Sequence, residues 1–313
     1  MGNRVQWMTS LPNLLHSVPI INLAIPGSHD SMTYGIKSGA EPAPDAENPT
    51  KWLNFCFPWF VRRWAKTQSA SVLEQLRLGI RYFDLRLCQK NNKFFFAHGL
   101  FAMEIFEPLT ELKQYLLSNK GEVCILDFQH FYDMNVSHHM KLHSDLLQLF
   151  GPLLYSKYDG TLNEFTLNRC RALGRQILLI YRRCSLFLPN EFWSSNNWQT
   201  PWPNLTSVRK LQLYLQNSLL SRNPTQGFVS QCILTPTRMY ITLRIFSSLH
   251  STAKKVDRKI TPWMEDQTPG PFQDNQPPKA NVFIADFVNE QFCDLVIELN
   301  FKIEVFLNIG GDA

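Results

Sequence analysis

The sequence predicts a (β/α) barrel of the TIM type folded as one α/β domain, and three observations carry that prediction. Short apolar runs of strand length alternate with stretches of helical periodicity. These runs end in polar residues, among them Ser28-His29-Asp30, His98, Gln129-His130, Arg182 and Asp286, and strand ends are where parallel α/β folds gather their chemistry. The glycine-rich loops that cradle nucleotides in doubly wound sheets are missing, so no cofactor is expected.

Composition allows one large core or two modest ones, and the chain is read as one domain over residues 1–313 with its core over about 18–305. The 313 residues are 44% hydrophobic and 18% charged, an ordinary globular balance. A net charge of +5 suits an anionic substrate or membrane surface and is too mild to argue for nucleic acid. Seven cysteines without a C-x-x-C pair read as reduced thiols packed as small hydrophobes. The amino terminus lacks a signal-peptide core and no apolar run reaches membrane-spanning length. A cytoplasmic protein, peripheral at membranes, is therefore expected. Gly2 is followed by Gln6 where a myristoylation start wants serine or threonine.

In chain order, residues 23–25 form an apolar strand that Pro26-Gly27 is expected to stop, turning the chain to present Ser28, His29 and Asp30. Residues 39–49 make an acidic, proline-bearing loop. Trp52, Phe55, Phe57, Trp59, Phe60 and Trp64 follow, with Arg62 and Arg63. That stretch is either a lid or membrane-facing element, or a helix packing its aromatics on the barrel exterior.

A helix from residue 72 leads to residues 81–87, which alternate with the two-residue period of a strand. Tyr82, Asp84 and Arg86 share one face; Phe83, Leu85 and Leu87 share the other. The apolar set must meet the helices, so Asp84 and Arg86 face the barrel interior, where they need partners or a ligand. Asn91-Asn92 reads as a hairpin tip, and the strand over 94–97 closes on His98-Gly99.

A helix over 107–119 and a strand over 123–130 come next. His139 and His143 stand four apart on the following helix, a spacing that can hold zinc. Met140 breaks the H-E-x-x-H pattern, so an exposed helix face is expected there. Residues 176–181 form a strand ending at Arg182. The irregular stretch 193–203 places Trp202 either at a sugar or lipid pocket or in aromatic loop packing. A strand over 228–234, a helical region over 238–251, a Pro- and Gly-rich loop over 267–278, a last strand over 281–287 and a closing helix complete the chain.

Taken together, Ile25-Pro26-Gly27-Ser28-His29-Asp30, Arg81-Tyr82-Phe83-Asp84-Leu85-Arg86, Ala97-His98-Gly99, Leu126-Asp127-Phe128 and Ala285-Asp286-Phe287 resemble the X domain of phosphatidylinositol-specific phospholipase C, in the form of the small animal PI-PLC X domain-containing proteins. The resemblance spans nearly the whole chain and implies a distorted form of the TIM-type (β/α) barrel. It implies a phosphoric diester hydrolase acting on a phosphoinositide or related phospholipid at a transiently bound membrane surface. By this resemblance His29 is the general base and His98 the general acid, with Asp286 orienting the base and Asp30 supporting the acid.

Asp84-Leu85-Arg86 follows the bacterial Asp-x-Arg form, in which arginine supplies the charge that calcium supplies in the metal-dependent animal enzymes; no metal is expected. Gln129 stands where those families place a lysine or an acidic ligand, and Gln231 where an aspartate meets inositol. With Arg182 and Trp202 they are the candidate substrate contacts. The alternative is a catalytically silent barrel that binds phosphoinositides or inositol phosphates. A glycerophosphodiesterase would want a carboxylate cluster around a metal, and Arg86 stands in its way.

Overall fold

A computed structural model describes residues 3–183, 187–273 and 276–303; Gly2, Cys184 and the expected end of the core lie outside them. Ten strands build one sheet: β1 (Ile25–Ser28), β2 (Tyr82–Lys90), β3 (Lys93–His98), β4 (Leu100–Glu104), β5 (Cys124–Tyr132), β6 (Ile177–Tyr181), β7 (Phe192–Trp193), β8 (Trp198–Gln199), β9 (Gly227–Gln231) and β10 (Val282–Ala285). The order is β7-β6-β5-β2-β1-β10-β9-β8, with every neighbouring pair on this path parallel. The sheet curls into a barrel whose end strands, β7 and β8, do not pair among the described residues. β3 and β4 extend from β2 as an antiparallel flap.

Among the described residues ten α-helices surround it: α1 (Asn48–Cys56), α2 (Pro58–Ala65), α3 (Val72–Leu78), α4 (Phe106–Ser118), α5 (Val136–Phe150), α6 (Leu167–Leu173), α7 (Val208–Leu220), α8 (Arg238–Thr242), α9 (Leu249–Glu265) and α10 (Glu290–Leu299).

Strand alternation sorts the core into two layers. Phe83, Leu85, Leu126, Phe128, Leu179 and Phe283 meet the helices, while Ile25, Tyr82, Ile125, Ile180, Val229 and Ile284 fill the barrel. The lower end is plugged by Trp7, Met8, Leu11 and Leu15, so the packed core reaches back beyond residue 18. Arg81 and Glu122, both fully buried, pair there at 2.8 Å, and Glu122 also accepts the Thr9 backbone N–H at 2.9 Å. The extra hydrogen bonds satisfy groups that would be costly to bury alone.

Several local expectations need correction. Pro26-Gly27 lies inside β1 rather than ending it. Pro26 precedes the first β1–β2 pair, Gly27 with Tyr82, and its carbonyl accepts from Arg81 N–H at 2.9 Å, so its missing donor breaks no ladder bond. Gly27 is required by close approach, since a Cβ there would lie 2.9 Å from Ile284 and Tyr82. Of residues 23–25 only Ile25 is in the strand. The Ala24 N–H and C=O are instead taken by the Asn300 side chain at 2.9 Å each.

The helical region expected to stop near residue 251 continues as α9 to Glu265, with Pro262 inside it. Leu249, Ala253, Val256, Ile260, Trp263 and Met264 give it a buried face. The face of α5 expected to be exposed is also corrected: His139 is 1% and His143 3% exposed. They pack on Phe131, Tyr181 and Phe192, at the end of β6, where helix and sheet meet.

Candidate active site

The parallel order brings the carboxyl ends of β1, β2, β5 and β10 to one mouth, with β3 folding over it. His29 follows β1, and its backbone N–H donates to Ala285 C=O of β10 at 3.2 Å. Its Nδ1 meets Asp286 Oδ1 at 2.7 Å. Nε2 faces Asp30 Oδ2 at 3.1 Å and Arg86 Nη2 at 2.9 Å. His98, at the end of β3, donates from Nδ1 to Ala65 C=O at 2.7 Å and places Nε2 3.3 Å from the same Asp30 oxygen. The two imidazoles stand edge to face, 6.1 Å between centroids.

Asp84 and Arg86, two residues apart on one face of β2, both point inward. Arg86 Nε meets Asp30 Oδ1 at 2.6 Å and Nη2 meets Asp84 Oδ2 at 3.2 Å. The Asp84 carboxylate also accepts Asp30 N–H at 3.2 Å. His29, Asp30 and Asp84 are close enough to share a cation, but the Arg86 guanidinium already sits among them.

The charges tune one another. Burial presses the His29 imidazolium down, and Asp30 and Asp286 outweigh it, so its pKa stands above the usual value of 6.5. Burial pushes the Asp30 carboxyl up, but Arg86, His98 and His29 hold it below its usual value. His130, foreseen only as a strand tip, pairs in register with Arg86 across β2 and β5. Its pKa is lowered by burial and by Arg86.

The four candidate substrate contacts are placed differently from one another. Trp202, 39% exposed, lies 5.5 Å from the His29 ring and 5.4 Å from the Arg86 guanidinium carbon. Arg182 is engaged twice at 2.7 Å by Asp127, which also accepts from Tyr82 OH at 2.6 Å. Gln129 donates to that tyrosine at 3.1 Å. Gln231 is buried and donates to Thr200 C=O at 3.2 Å. Trp202 thus borders the histidines, while Arg182, Gln129 and Gln231 are engaged with Asp127, Tyr82 and the Thr200 carbonyl.

The aromatic stretch beside the mouth is helical and two-sided. Val61, Trp64 and Ala65 are buried, whereas Trp52, Phe55, Phe57 and Trp59 are exposed, Phe55 by 88%. Arg62 is tied down, its Nε donating to Ile36 C=O at 2.8 Å. Exposed Met239, Leu243 and Phe246 adjoin this ridge, since Trp64 packs against Tyr240 and Arg63 donates to Ile245 C=O. Among the described residues no helix is long and apolar enough to cross a membrane.

Comparison with known proteins yields relatives along the whole chain. PI-PLC X domain-containing protein 2 of Mus musculus is 36% identical over 310 residues, covering 95% of this chain and 88% of that one. PI-PLC X domain-containing protein 3 of Homo sapiens is 33% identical, covering 95% and 94%. Among solved structures, phosphatidylinositol-specific phospholipase C from Listeria monocytogenes superposes with a TM-score of 0.68 at 20% identity, covering 96% and 99%. A Staphylococcus aureus phosphatidylinositol-specific phospholipase C structure gives 0.66 at 18%, covering 95% and 98%. No family model matches.

Proposed function

The chain belongs to the family of PI-PLC X domain-containing proteins, and from that premise we propose that it is a phosphoric diester hydrolase cleaving a phosphoinositide to diacylglycerol and a cyclic inositol phosphate without a metal. The observation that carries this reading is the pair of imidazoles flanking Asp30. Each has Nδ1 held from behind, by Asp286 or by the Ala65 carbonyl, and each aims Nε2 into the mouth.

In this reading neutral His29 takes the proton of the inositol 2-hydroxyl at Nε2, while its Nδ1–H stays on Asp286. The freed oxygen bonds to phosphorus as the bond to the diacylglycerol oxygen breaks, and His98 delivers its Nε2 proton to that leaving oxygen. Asp30 steadies the cationic His98, and Arg86 faces the charge developing on the phosphoryl oxygens. A divalent ion among His29, Asp30 and Asp84 would meet the Arg86 cation at contact distance, which supports a metal-free site. The ridge of Trp52, Phe55, Trp59, Leu243 and Phe246 supports transient docking on a lipid surface, because exposed aromatics beside arginines favour the interfacial zone.

A second reading, a silent phosphoinositide-binding barrel, is favoured by one contact: the Arg86 N–H lies against His29 Nε2, the atom the base must free. Purified protein assayed against a phosphoinositide panel, with cyclic and acyclic products resolved, separates the two. Release of cyclic phosphate supports the hydrolase. Saturable binding without any product supports the silent barrel.

A further inference from the structure

Thr67 and Gln68 follow α2 with no charge and no motif, yet both are fully buried beneath the mouth. Their bonds converge on the two turns that carry His29 and Asp286. Thr33 Oγ1 accepts the N–H groups of Thr67 and Gln68 at 3.0 Å each and lies 2.6 Å from Thr67 Oγ1. With both of its acceptor positions taken, Thr33 is the donor in that contact. The Thr67 hydroxyl proton is therefore left for the carbonyls of His29, at 3.0 Å, and Asp30, at 3.1 Å.

The Gln68 carboxamide spans both turns. Its Nε2 donates to His29 C=O at 3.0 Å and to Ala285 C=O at 2.8 Å, and its oxygen accepts Val288 N–H at 3.1 Å. Phe287 N–H donates to Thr67 C=O at 2.6 Å. Asp286 is thereby held at the residue before it and the two after it.

Two residues here are in the left-handed region without being glycine: Asp30 at φ +41° and Phe287 at φ +50°. Such a conformation persists where the surroundings over-determine it, and Thr67 bonds to both residues. We propose that Thr67 and Gln68 are positioning residues that keep His29 and Asp286 in register by locking the β1 and β10 turns together. This rests on the hydrolase reading above for its catalytic consequence, but not for its geometry. Neither residue touches the reacting atoms.

The test uses the full chain with Thr67→Val, Thr67→Ser, Gln68→Met and Gln68→Asn, each checked for folding by thermal melting. Two quantities are read: kcat and KM on phosphatidylinositol in mixed micelles, and the NMR titration of the His29 imidazole. Thr67→Val and Gln68→Met should lower kcat about 10- to 100-fold with KM within about threefold, the signature of lost alignment rather than lost binding.

The His29 midpoint should move down by about half a pH unit or more as Asp286 drifts away, with Asp30, Asp84 and Arg86 still facing the ring. Thr67→Ser, which keeps the hydroxyl, should stay within about threefold of wild type in kcat. Folded Thr67→Val and Gln68→Met with unchanged kcat and an unmoved titration overturn the proposal. If those two do not fold, Gln68→Asn, one methylene short, must show the same downward shift, and a wild-type midpoint there overturns it. If the wild type releases no product from any phosphoinositide, the hydrolase reading fails, and the His29 titration still decides this one.

Discussion

Two buried histidine sites of this molecule differ in the sign of their pKa shift, although burial lowers the pKa at both. At the mouth, His29 is 5% exposed but has Asp30, Asp84 and Asp286 within 4 Å, and its pKa is raised. On α5, His139 and His143 are at least as buried, but their walls are Phe131, Tyr181 and Phe192. His139 is pushed down to about 4 by burial, with Arg183 and His143 adding to it, and burial lowers His143. His139 Nδ1 meets Tyr181 OH at 2.6 Å; among the described residues its Nε2 and both nitrogens of His143 lack partners. Desolvation always disfavours the imidazolium, so the sign is set by whether carboxylates are buried alongside. The carboxylates beside His29 favour its proton, whereas the aromatic walls around His139 and His143 disfavour theirs.

The largest effect that could break this comparison is on turnover. His29→Ala and His98→Ala should each reduce product formation by about a thousandfold with the fold retained, while His143→Phe should leave turnover within about twofold. Near wild-type turnover in either alanine variant would remove the acid and base assignment.

Arg86→Ala comes next, with an expected loss of about a hundredfold or more, because charge would develop in a partly dehydrated site without its counter-charge. Arg86→Lys should recover part of it, since a point charge cannot reproduce the guanidinium fork. Wild-type activity should survive EGTA. Activity that vanishes in chelator and returns with calcium would assign His29, Asp30 and Asp84 to a metal.

The pH dependence sharpens the contrast in sign. The activity profile should be bell-shaped, with its acid limb above the usual 6.5 because His29 is raised, and Asp286→Asn should move that limb down. For stability His29 and the α5 histidines oppose each other. His29, raised in the folded state, contributes fully below pH 6.5 and loses its contribution as pH rises through its folded pKa. His139, depressed to about 4, contributes above pH 6.5 and loses its contribution as pH falls toward 4. His143→Phe removes two unpartnered nitrogens and should stabilise the protein at pH 5 by about 1 kcal/mol relative to its effect at pH 7, read by denaturant melts. An equal effect at both pH values would mean that His143 is not held neutral.

The smallest effect concerns the rim. Phe55→Ala with Trp59→Ala should reduce action on phosphoinositide vesicles about tenfold and barely change action on a soluble inositol phosphodiester. Equal losses on both would assign the ridge to folding. Arg62 is a poor choice for this test because its bond to Ile36 makes it structural.

The inward face of β2, the hairpin tip at Asn91-Asn92 with φ +52° and +59°, and the strand-end placement of His29, His98 and Asp286 were legible in the sequence. Each follows from local sterics: side chains alternate every residue along a strand, and asparagine tolerates the left-handed turn. The helical face of α9 was written at three- and four-residue spacing and was hidden by Pro262. No local rule distinguished the α5 histidines from a solvated face, because their burial depends on where the end of β6 lies.

The contacts that make a site come from strands that the curled sheet lays side by side. His29 meets Asp286 across 257 residues, Asp30 stands between two histidines from different strands, and Asp127 takes up Arg182 from the next strand. Thr67 and Gln68 carried no signal at all, since a polar pair between two helices reads as an ordinary loop. The sequence by itself determined which side chains a strand would aim into the barrel, because that depends on neighbours one and two residues away. Only the tertiary structure decided which of them would share an oxygen or a proton, because that depends on the register of strands brought together from opposite ends of the chain.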